Sequence, residues 1–242
     1  DHLFFFGLAV AYPVASYFSF RRLMRRIAGG ELISPTTIYK STVIGHWTMF
    51  GMAIVIWLAT DRSWAALGFG WNVDTGFLIG LALTAAAVAV IMRQYGSLAT
   101  ASEKTRESLL RQLGDLKIMM PRNYNELGRF YGVSATAGIV EETLWRGYMF
   151  WYLGHVMPLW AAAIVTSVIF GFGHIYQGIA NVPKIILVGG VFAGLYLLTG
   201  SLWLPMLLHA VFDAVQGKAV YGLLSSASSN PSSSASSRIR GS

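Results

Sequence analysis

The chain contains no cysteine, and this absence removes several kinds of site. With no Cys among its 242 residues, it cannot form a disulfide framework, bind a metal through thiolates or use a thiol as a nucleophile. Charged residues are also scarce. They make up 12% of the chain, about half of the ~25% that is usual for soluble domains. The sequence is therefore not that of an ordinary soluble protein.

Long apolar runs take the place of the missing charges. Hydrophobic residues make up 55% of the chain, and about seven windows are long enough to cross a hydrocarbon core roughly 30 Å thick as helices. Runs such as LALTAAAVAVI (81–91) lack the alternation of a transmembrane β-strand. We predict an all-α, polytopic transmembrane bundle, with an eighth span expected if a segment precedes Asp1. The seven predicted spans lie near residues 3–20, 42–60, 77–95, 129–154, 157–175, 183–199 and 202–217.

The basic residues occupy alternate loops, which is not the pattern of a nucleic-acid-binding face. The second loop contains only Arg62, whereas the first and third are rich in arginine and lysine. By the positive-inside rule, the first and third loops lie in the cytoplasm and the N-terminus lies outside. The first apolar run carries its arginines after it, so we expect a retained span and not a cleaved signal peptide. The basic residues of these two loops are Arg21, Arg22, Arg25, Arg26, Lys40, Lys104, Arg106, Arg111, Lys117 and Arg122.

The domain organisation is predicted from composition. Residues 1–222 form one transmembrane helical domain, and the polar motifs described below lie in a core at 121–217. Residues 223–242 are mostly serine and contain few apolar side chains. Such a segment cannot bury enough apolar surface to fold, so we predict a disordered tail or an added linker there.

Three charges interrupt an apolar run in GIVEETLWRGYMF (138–150). An ionised side chain near the centre of a bilayer costs about 2.5–3.5 kcal/mol on insertion scales, so these charges need partners. Glu142 and Arg146 are four residues apart and share a helix face, which predicts an ion pair. Glu141 is turned about 100° around the same helix and lacks this partner. A carboxyl group placed in this way is suited to general acid–base chemistry.

Two histidines follow on later spans. FGFGHIYQG (170–178) puts His174 one turn after Phe170, at the end of the fifth span. LLHAVFDAV (207–215) puts His209 and Asp213 four residues apart, a spacing that lets a carboxylate orient an imidazole. A single histidine in a span is usually a core residue that satisfies its hydrogen bonds on a neighbouring helix. Here, however, three carboxyl-bearing residues, an arginine and two histidines share three of the last four spans.

The first three spans contain only His2, near one end, and His46. The remaining histidine, His155, lies at a membrane end and is interpreted as incidental. Known protease motifs were compared with the sequence. The zinc motif HExxH is absent, GVSATAG (132–138) does not match Gly-x-Ser-x-Gly, and Asp213 is a single aspartate where an aspartyl dyad needs two. Glu141 and the histidines therefore remain as the candidate reactive groups.

Three segments, in order, resemble the motifs of the CAAX-protease and bacteriocin-processing family of intramembrane glutamic endopeptidases. They are PRNYNELGRFYGVSATAGIVEETLWRGYMF, TSVIFGFGHIYQG and SLWLPMLLHAVFDAV. They match Glu-Glu-x-x-x-Arg, Phe-x-x-x-His and His-x-x-x-Asn/Asp respectively, over residues 121–217. The residues before 121 show only general membrane character.

The resemblance implies a peptide hydrolase that uses no metal and no cofactor. In that interpretation Glu141 and His174 activate a water, His209 and Asp213 stabilise the oxyanion, and Glu142 with Arg146 braces the site, with Phe170 in support. The substrate would be a peptide or protein, including lipidated CAAX-like ones, and nucleic acid is not expected as a partner. The protein would be a multi-pass protein of a prokaryotic cell membrane, with its site open to the cytoplasm.

One position departs from the family pattern, and two other functions remain open. Many members have Asn where this chain has Asp213, and an ionised aspartate cannot donate a hydrogen bond to an oxyanion. Asp213 would therefore have to be protonated or to orient His209. A proton-coupled transporter could use the same buried residues, although no internal repeat is found. A non-catalytic membrane partner, such as an immunity protein, would have the same motifs.

Overall fold

The computed structural model describes residues 1–100 and 102–228, and every regular element in that part of the chain is helical. This confirms the all-α fold class. We number eight helices in chain order, with short 3-10 turns in some of the connections. They are α1 (His2–Ala28), α2 (Pro35–Leu58), α3 (Thr75–Gly96), α4 (Glu103–Leu113), α5 (Tyr124–Glu142, continuing as described below), α6 (Leu159–Gly173), α7 (Val182–Thr199) and α8 (Trp203–Ser228).

Local sequence signals fix several helix ends. Ser34, Asp74 and Asn123 each precede a helix, and their side-chain oxygens accept hydrogen bonds from backbone N–H groups in the first turn. These are the residue types that satisfy the orphan donors of a helix N-terminus. α7 ends at Gly200, whose left-handed backbone (φ 60°) suits glycine. The helix boundaries are therefore a consequence of short-range chemistry.

Four helical stretches are long and apolar enough to span a membrane, judged over the described residues by length and composition. They are His2–Ala28, Pro35–Leu58, Thr75–Gly96 and Ile179–Thr199, and α6 is a shorter apolar helix. The protein is thus an integral membrane protein. The predicted count of seven spans is not confirmed. The other two long helices, α5 and α8, carry Glu141, Glu142 and Asp213, which lower their apolar character.

α5 is the centre of the bundle. α8 and α2 pack against it, α6 and α7 pack against each other, and α3 lies along α8. The approach of α8 is close because α5 has a glycine at the crossing. A Cβ added at Gly138 would lie 2.6 Å from the carbonyl oxygen of Met206. The motif-bearing face of α5 is therefore enclosed by other helices.

The last helix is longer than the sequence predicts. The domain was expected to end at residue 222, but α8 continues to Ser228. Leu223 is buried, with 3% of its surface exposed, so the helix is anchored past the predicted boundary. Residues 229–242, the rest of the predicted Ser-rich tail, lie outside the described part of the chain.

Candidate active site

α5 carries the two glutamates at a change in helix geometry. Tyr124–Glu142 is α-helical, Thr143–Tyr148 forms a π-helical turn, and Met149–Leu153 returns to α-helix. Single π-helical turns within α-helices are frequent at functional sites. Both glutamates are buried: Glu141 is 8% exposed and Glu142 is fully inaccessible. The two glutamates are adjacent on the helix, so their side chains point in different directions. Both have little access to solvent.

Two side chains, Arg146 and His209, hold the carboxylate of Glu142 in place. Its Oε1 accepts a hydrogen bond from Arg146 at 3.0 Å, which confirms the ion pair predicted from the sequence. The same oxygen lies 2.7 Å from Nδ1 of His209 on α8. Arg146 also donates to the carbonyl oxygen of Gly189 on α7 at 2.8 Å. Glu142 and Arg146 thus join α5, α7 and α8 through a charge-compensated buried cluster.

Phe170 lies between the charged groups and the histidines. Its ring centroid is 4.6 Å from the guanidinium carbon of Arg146, and its ring packs on those of His174 and Trp145. Phe192 of α7 stacks on His209 with a centroid distance of 4.9 Å. Aromatic faces stabilise a desolvated guanidinium. Phe170 therefore packs against both the guanidinium of Arg146 and the ring of His174.

Glu141 has different partners. Its Oε1 lies 2.9 Å from Nε2 of His46 on α2. Its Oε2 lies 3.8 Å from Nε2 of His174 and has no hydrogen-bond partner in the described residues. The expectation that Glu141 lacks a partner is therefore wrong, because His46 supplies one. Within the described residues, no group of three or more His, Asp or Glu side chains has a metal-binding arrangement.

Sequence reasoning missed His46. It lies 95 residues before Glu141 and outside every motif, so no local spacing connects the two. The only available signal was a histidine in the middle of an apolar helix, where a polar ring needs a partner. That signal was not followed because the other polar residues lie on the last four spans.

The tautomers of two histidines follow from their hydrogen bonds. Nδ1 of His46 lies 2.9 Å from the Thr42 carbonyl oxygen, and Nδ1 of His174 lies 2.8 Å from that of Phe170. A carbonyl oxygen only accepts, so each Nδ1 carries a proton and donates it. Nε2 of each ring then faces Glu141. In its neutral form, His174 presents a hydrogen-bond acceptor beside the unpartnered oxygen of the carboxylate.

His209 and Asp213 lie close together, as their spacing predicts, but they are not within hydrogen-bond distance. Nε2 of His209 is 3.7 Å from Asp213 Oδ2, longer than a hydrogen bond. The carboxylate that orients the ring is Glu142, at 2.7 Å from Nδ1. The two residues are one helical turn apart, as the spacing indicated, but the close crossing of α5 and α8 at Gly138 puts Glu142 nearer.

A cavity of about 710 Å³ adjoins this cluster. Its walls include Arg21 and Arg25 of α1, Asp115, and Tyr176 just after α6. Tyr176 is also stacked on His174, with ring centroids 6.0 Å apart, so one ring borders both the cavity and the histidine. Burial raises the pKa of Tyr176 to about 12, which keeps its hydroxyl protonated at neutral pH. The cavity and the glutamate–histidine cluster are therefore neighbours.

Comparison with known proteins locates the family in the same part of the chain. Residues 123–215, less than half of the chain, match the family described as type II CAAX prenyl endopeptidase, Rce1-like. Searches of curated proteins and of solved structures found no match. The matched segment contains both glutamates, Arg146, Phe170, His174, His209 and Asp213, and it excludes His46. Residues 123–215 are therefore similar to the Rce1-like family of type II CAAX prenyl endopeptidases.

Proposed function

We propose that the protein is an intramembrane peptidase of the glutamic type. It hydrolyses a peptide bond of a membrane-associated or lipidated, CAAX-like peptide with a water that Glu141 and His174 activate. The observation that carries the proposal is the position of Glu141 Oε2 relative to Nε2 of His174. Glu141 Oε2 is buried and unpartnered, and it lies 3.8 Å from Nε2 of His174. Similarity to a protease family supports a hydrolase.

The two atoms are spaced to hold one water. A water oxygen about 2.8 Å from each atom bridges a gap of this length at normal hydrogen-bond distances. Glu141 Oε2 accepts one hydrogen of the water and neutral His174 Nε2 accepts the other. A lone pair of the water oxygen is then directed away from both groups. A substrate carbonyl carbon that approaches from that side meets a nucleophile which already has a base beside it.

The reaction uses one proton transfer in each direction. As the water oxygen bonds to the carbonyl carbon, its proton passes to Glu141 Oε2 and the carbonyl oxygen becomes an oxyanion. When the tetrahedral intermediate collapses, the carbon–nitrogen bond breaks and Glu141 returns the proton to the leaving amine. The products are a carboxylic acid and an amine, and Glu141 ends in its initial state. The scheme requires no metal and no cofactor.

His209 is placed to stabilise the oxyanion. Its Nδ1 proton is donated to Glu142, so a second proton on the ring would make Nε2 a donor to the negative oxygen. The buried Glu142–Arg146 pair fixes the ring and offsets its charge. Asp213 lies 3.7 Å from Nε2 and contributes its charge without a direct hydrogen bond. This assigns Asp213 a smaller role than the family motif implies.

We propose that the cavity beside Tyr176 is the route to the site. A peptide and the water consumed in hydrolysis both have to reach residues that are almost inaccessible. Arg21 and Arg25 line this cavity near the C-terminal end of α1, and the positive-inside rule assigns that end of the helix to the cytoplasm. We therefore propose that the site opens to the cytoplasm of a prokaryotic cell.

Cleavage of a quenched-fluorescent peptide library tests the proposal. The library includes lipidated peptides, and the detergent-purified protein is compared with Glu141→Gln and with Glu107→Gln, an exposed control on α4. We expect cleavage that resists a metal chelator, disappears in Glu141→Gln and persists in Glu107→Gln. Cleavage by Glu141→Gln would contradict the proposal, and loss of cleavage with chelator would indicate a metal. If the wild type cleaves nothing, the non-catalytic partner is favoured, and proton-coupled uptake in liposomes then tests the transporter.

A further inference from the structure

His46 is the only group outside the family segment that bonds to a motif carboxylate in the described chain. It lies on α2, 7% exposed, and both of its ring nitrogens are within 2.9 Å of an oxygen. We propose that His46 is a positioning residue for Glu141: by holding Oε1, it directs Oε2 toward His174. This inference rests on the proposed function, because it assigns to Oε2 the contact with the water.

The hydrogen bonds of His46 leave one proton to be shared with Glu141. Nδ1 already donates to the Thr42 carbonyl oxygen, so the 2.9 Å contact between Nε2 and Oε1 needs a proton on one of those two atoms. The proposed mechanism needs Glu141 as an ionised base, so we assign this proton to His46, whose imidazolium donates from Nε2 to Oε1. Oε1 is then engaged. Rotation of the carboxylate about its last carbon–carbon bond is then restricted, and Oε2 is the oxygen that stays available.

α2 is held against α5 on both sides of His46. Toward the start of α2, the ring of Tyr39 packs on Phe130 with centroids 5.7 Å apart. Toward its end, Trp57 packs on Tyr148 at 6.5 Å and on Trp151 at 5.1 Å. A side chain on a helix that is fixed at both ends positions its contact atom more accurately than one on a loop. The ring of His46 is therefore placed by the fold and does not depend on substrate.

The chain offers a matched control in His155. Its Nδ1 lies 2.7 Å from the carbonyl oxygen of Trp151, four residues earlier, as His46 Nδ1 does with Thr42. His155 is exposed at the end of its helix, and no carboxylate hydrogen-bonds to its ring in the described residues. The two histidines therefore share the bond to the helix backbone and differ in the contact with Glu141.

Steady-state kinetics separate positioning from general support of the fold. His46→Met removes the hydrogen-bond donor but keeps a side chain of similar volume. We expect kcat to fall about 100-fold, the loss typical of a misplaced reactive group, while KM stays within about threefold of the wild-type value. His46→Gln keeps an N–H group that can reach Oε1, and it should restore most of the lost kcat. His155→Met should match the wild type. The proposal is overturned if His46→Met keeps wild-type kcat, or if His46→Gln is folded and equally slow.

A second measurement needs no substrate. The protein has five histidines, and ¹⁵N-histidine NMR of the wild type and His46→Gln identifies the ring signals of His46. We expect these signals to shift in Glu141→Gln and to stay unchanged in Glu107→Gln. Unchanged His46 signals in Glu141→Gln would mean that the pair does not form, and the proposal would be wrong. If the shift is found and no peptide is cleaved, the pairing stands and the proposed function fails.

Discussion

Two glutamates that are neighbours in sequence are both buried, and Oε2 of each lacks a hydrogen-bond partner in the described residues, but the partners of their other oxygens differ. Glu142 is fully inaccessible, and its Oε1 is shared by Arg146 and His209. Glu141 is 8% exposed, bonds to one histidine, and keeps Oε2 without a partner 3.8 Å from another. The first carboxylate is compensated by a permanent cation, whereas the second is surrounded by groups that gain and lose protons.

The difference shows how one dipeptide supports two roles. Successive residues on an α-helix point about 100° apart, so Glu142 faces α7 and α8 while Glu141 faces α2 and α6. A carboxylate that binds a permanent cation is a poor base, because its charge is already committed. A carboxylate among histidines is suited to exchange protons. We therefore propose that Glu141 carries the chemistry and that Glu142 supports the fold.

The strongest test of this comparison is the loss of the base at Glu141. Glu141→Gln keeps the shape of the side chain and a polar contact with His46, but an amide cannot accept a proton at neutral pH. We expect kcat/KM for the best peptide to fall on the order of 10³-fold or more, with an unchanged melting temperature. A variant that loses activity only because it unfolds at lower temperature would contradict the assignment. Kinetics and thermal unfolding in the same detergent supply both numbers.

Glu142 should show the opposite behaviour. Glu142→Gln leaves the buried guanidinium of Arg146 without its counter-charge, and breaking a buried pair costs about 3–5 kcal/mol of unfolding free energy. The double variant Glu142→Met with Arg146→Met removes both charges, and we expect it to recover most of that loss. Denaturant titration in mixed micelles measures the unfolding free energies of the single and the double variant. Equal stability of Glu142→Gln and Glu141→Gln would remove the distinction between the two glutamates.

The parts of the site that were predictable from sequence depend on local geometry. The pair of Glu142 and Arg146 is four residues apart on one helix, so a short-range rule was enough. The all-α class followed from the long apolar runs. The contact of Glu141 with His46 joins residues 95 positions apart. It depends on how α2 packs against α5, and no spacing rule carries that information.

The same limit explains why the contact of His209 with Glu142 was not predicted. The four-residue spacing brings Asp213 Oδ2 to 3.7 Å from Nε2 of His209. Glu142, 67 residues away in sequence, lies closer, at 2.7 Å from Nδ1 of the same ring. Glu142 reaches His209 because α5 and α8 cross at a residue with no side chain, Gly138. When a contact within one helix competes with a contact between helices, the packing of the helices determines which one forms. The sequence shows only the contact within the helix. The predicted count of seven spans stays unconfirmed, because α5 and α8 are long helices that are not among the four stretches of the described residues able to cross a membrane by length and composition.

The crossing at Gly138 can be tested directly, because the Glu142 side of the site depends on it. In Gly138→Ala the new Cβ would lie 2.6 Å from the Met206 carbonyl oxygen and 2.9 Å from the Ala210 Cβ. We expect about 1–3 kcal/mol of destabilisation from this overpacking. Gly132→Ala on the same helix meets nothing within 4 Å and should be neutral or stabilising by up to about 1 kcal/mol. Equal unfolding free energies for the two variants would mean that α8 does not approach α5 closely.

The smallest effect is expected at Asp213, and it separates the two proposed orienters of His209. Asp213→Asn removes a charge 3.7 Å from Nε2 but leaves the bond from Nδ1 to Glu142 intact. We therefore expect kcat/KM to change by less than about tenfold, or about 1.4 kcal/mol, with KM and melting temperature close to those of the wild type. His209→Gln, measured beside it, should lose far more, because it removes the proposed oxyanion donor itself. If Asp213→Asn is as slow as His209→Gln, then Asp213 controls the imidazole, and the closed cluster around Glu142 serves the fold alone.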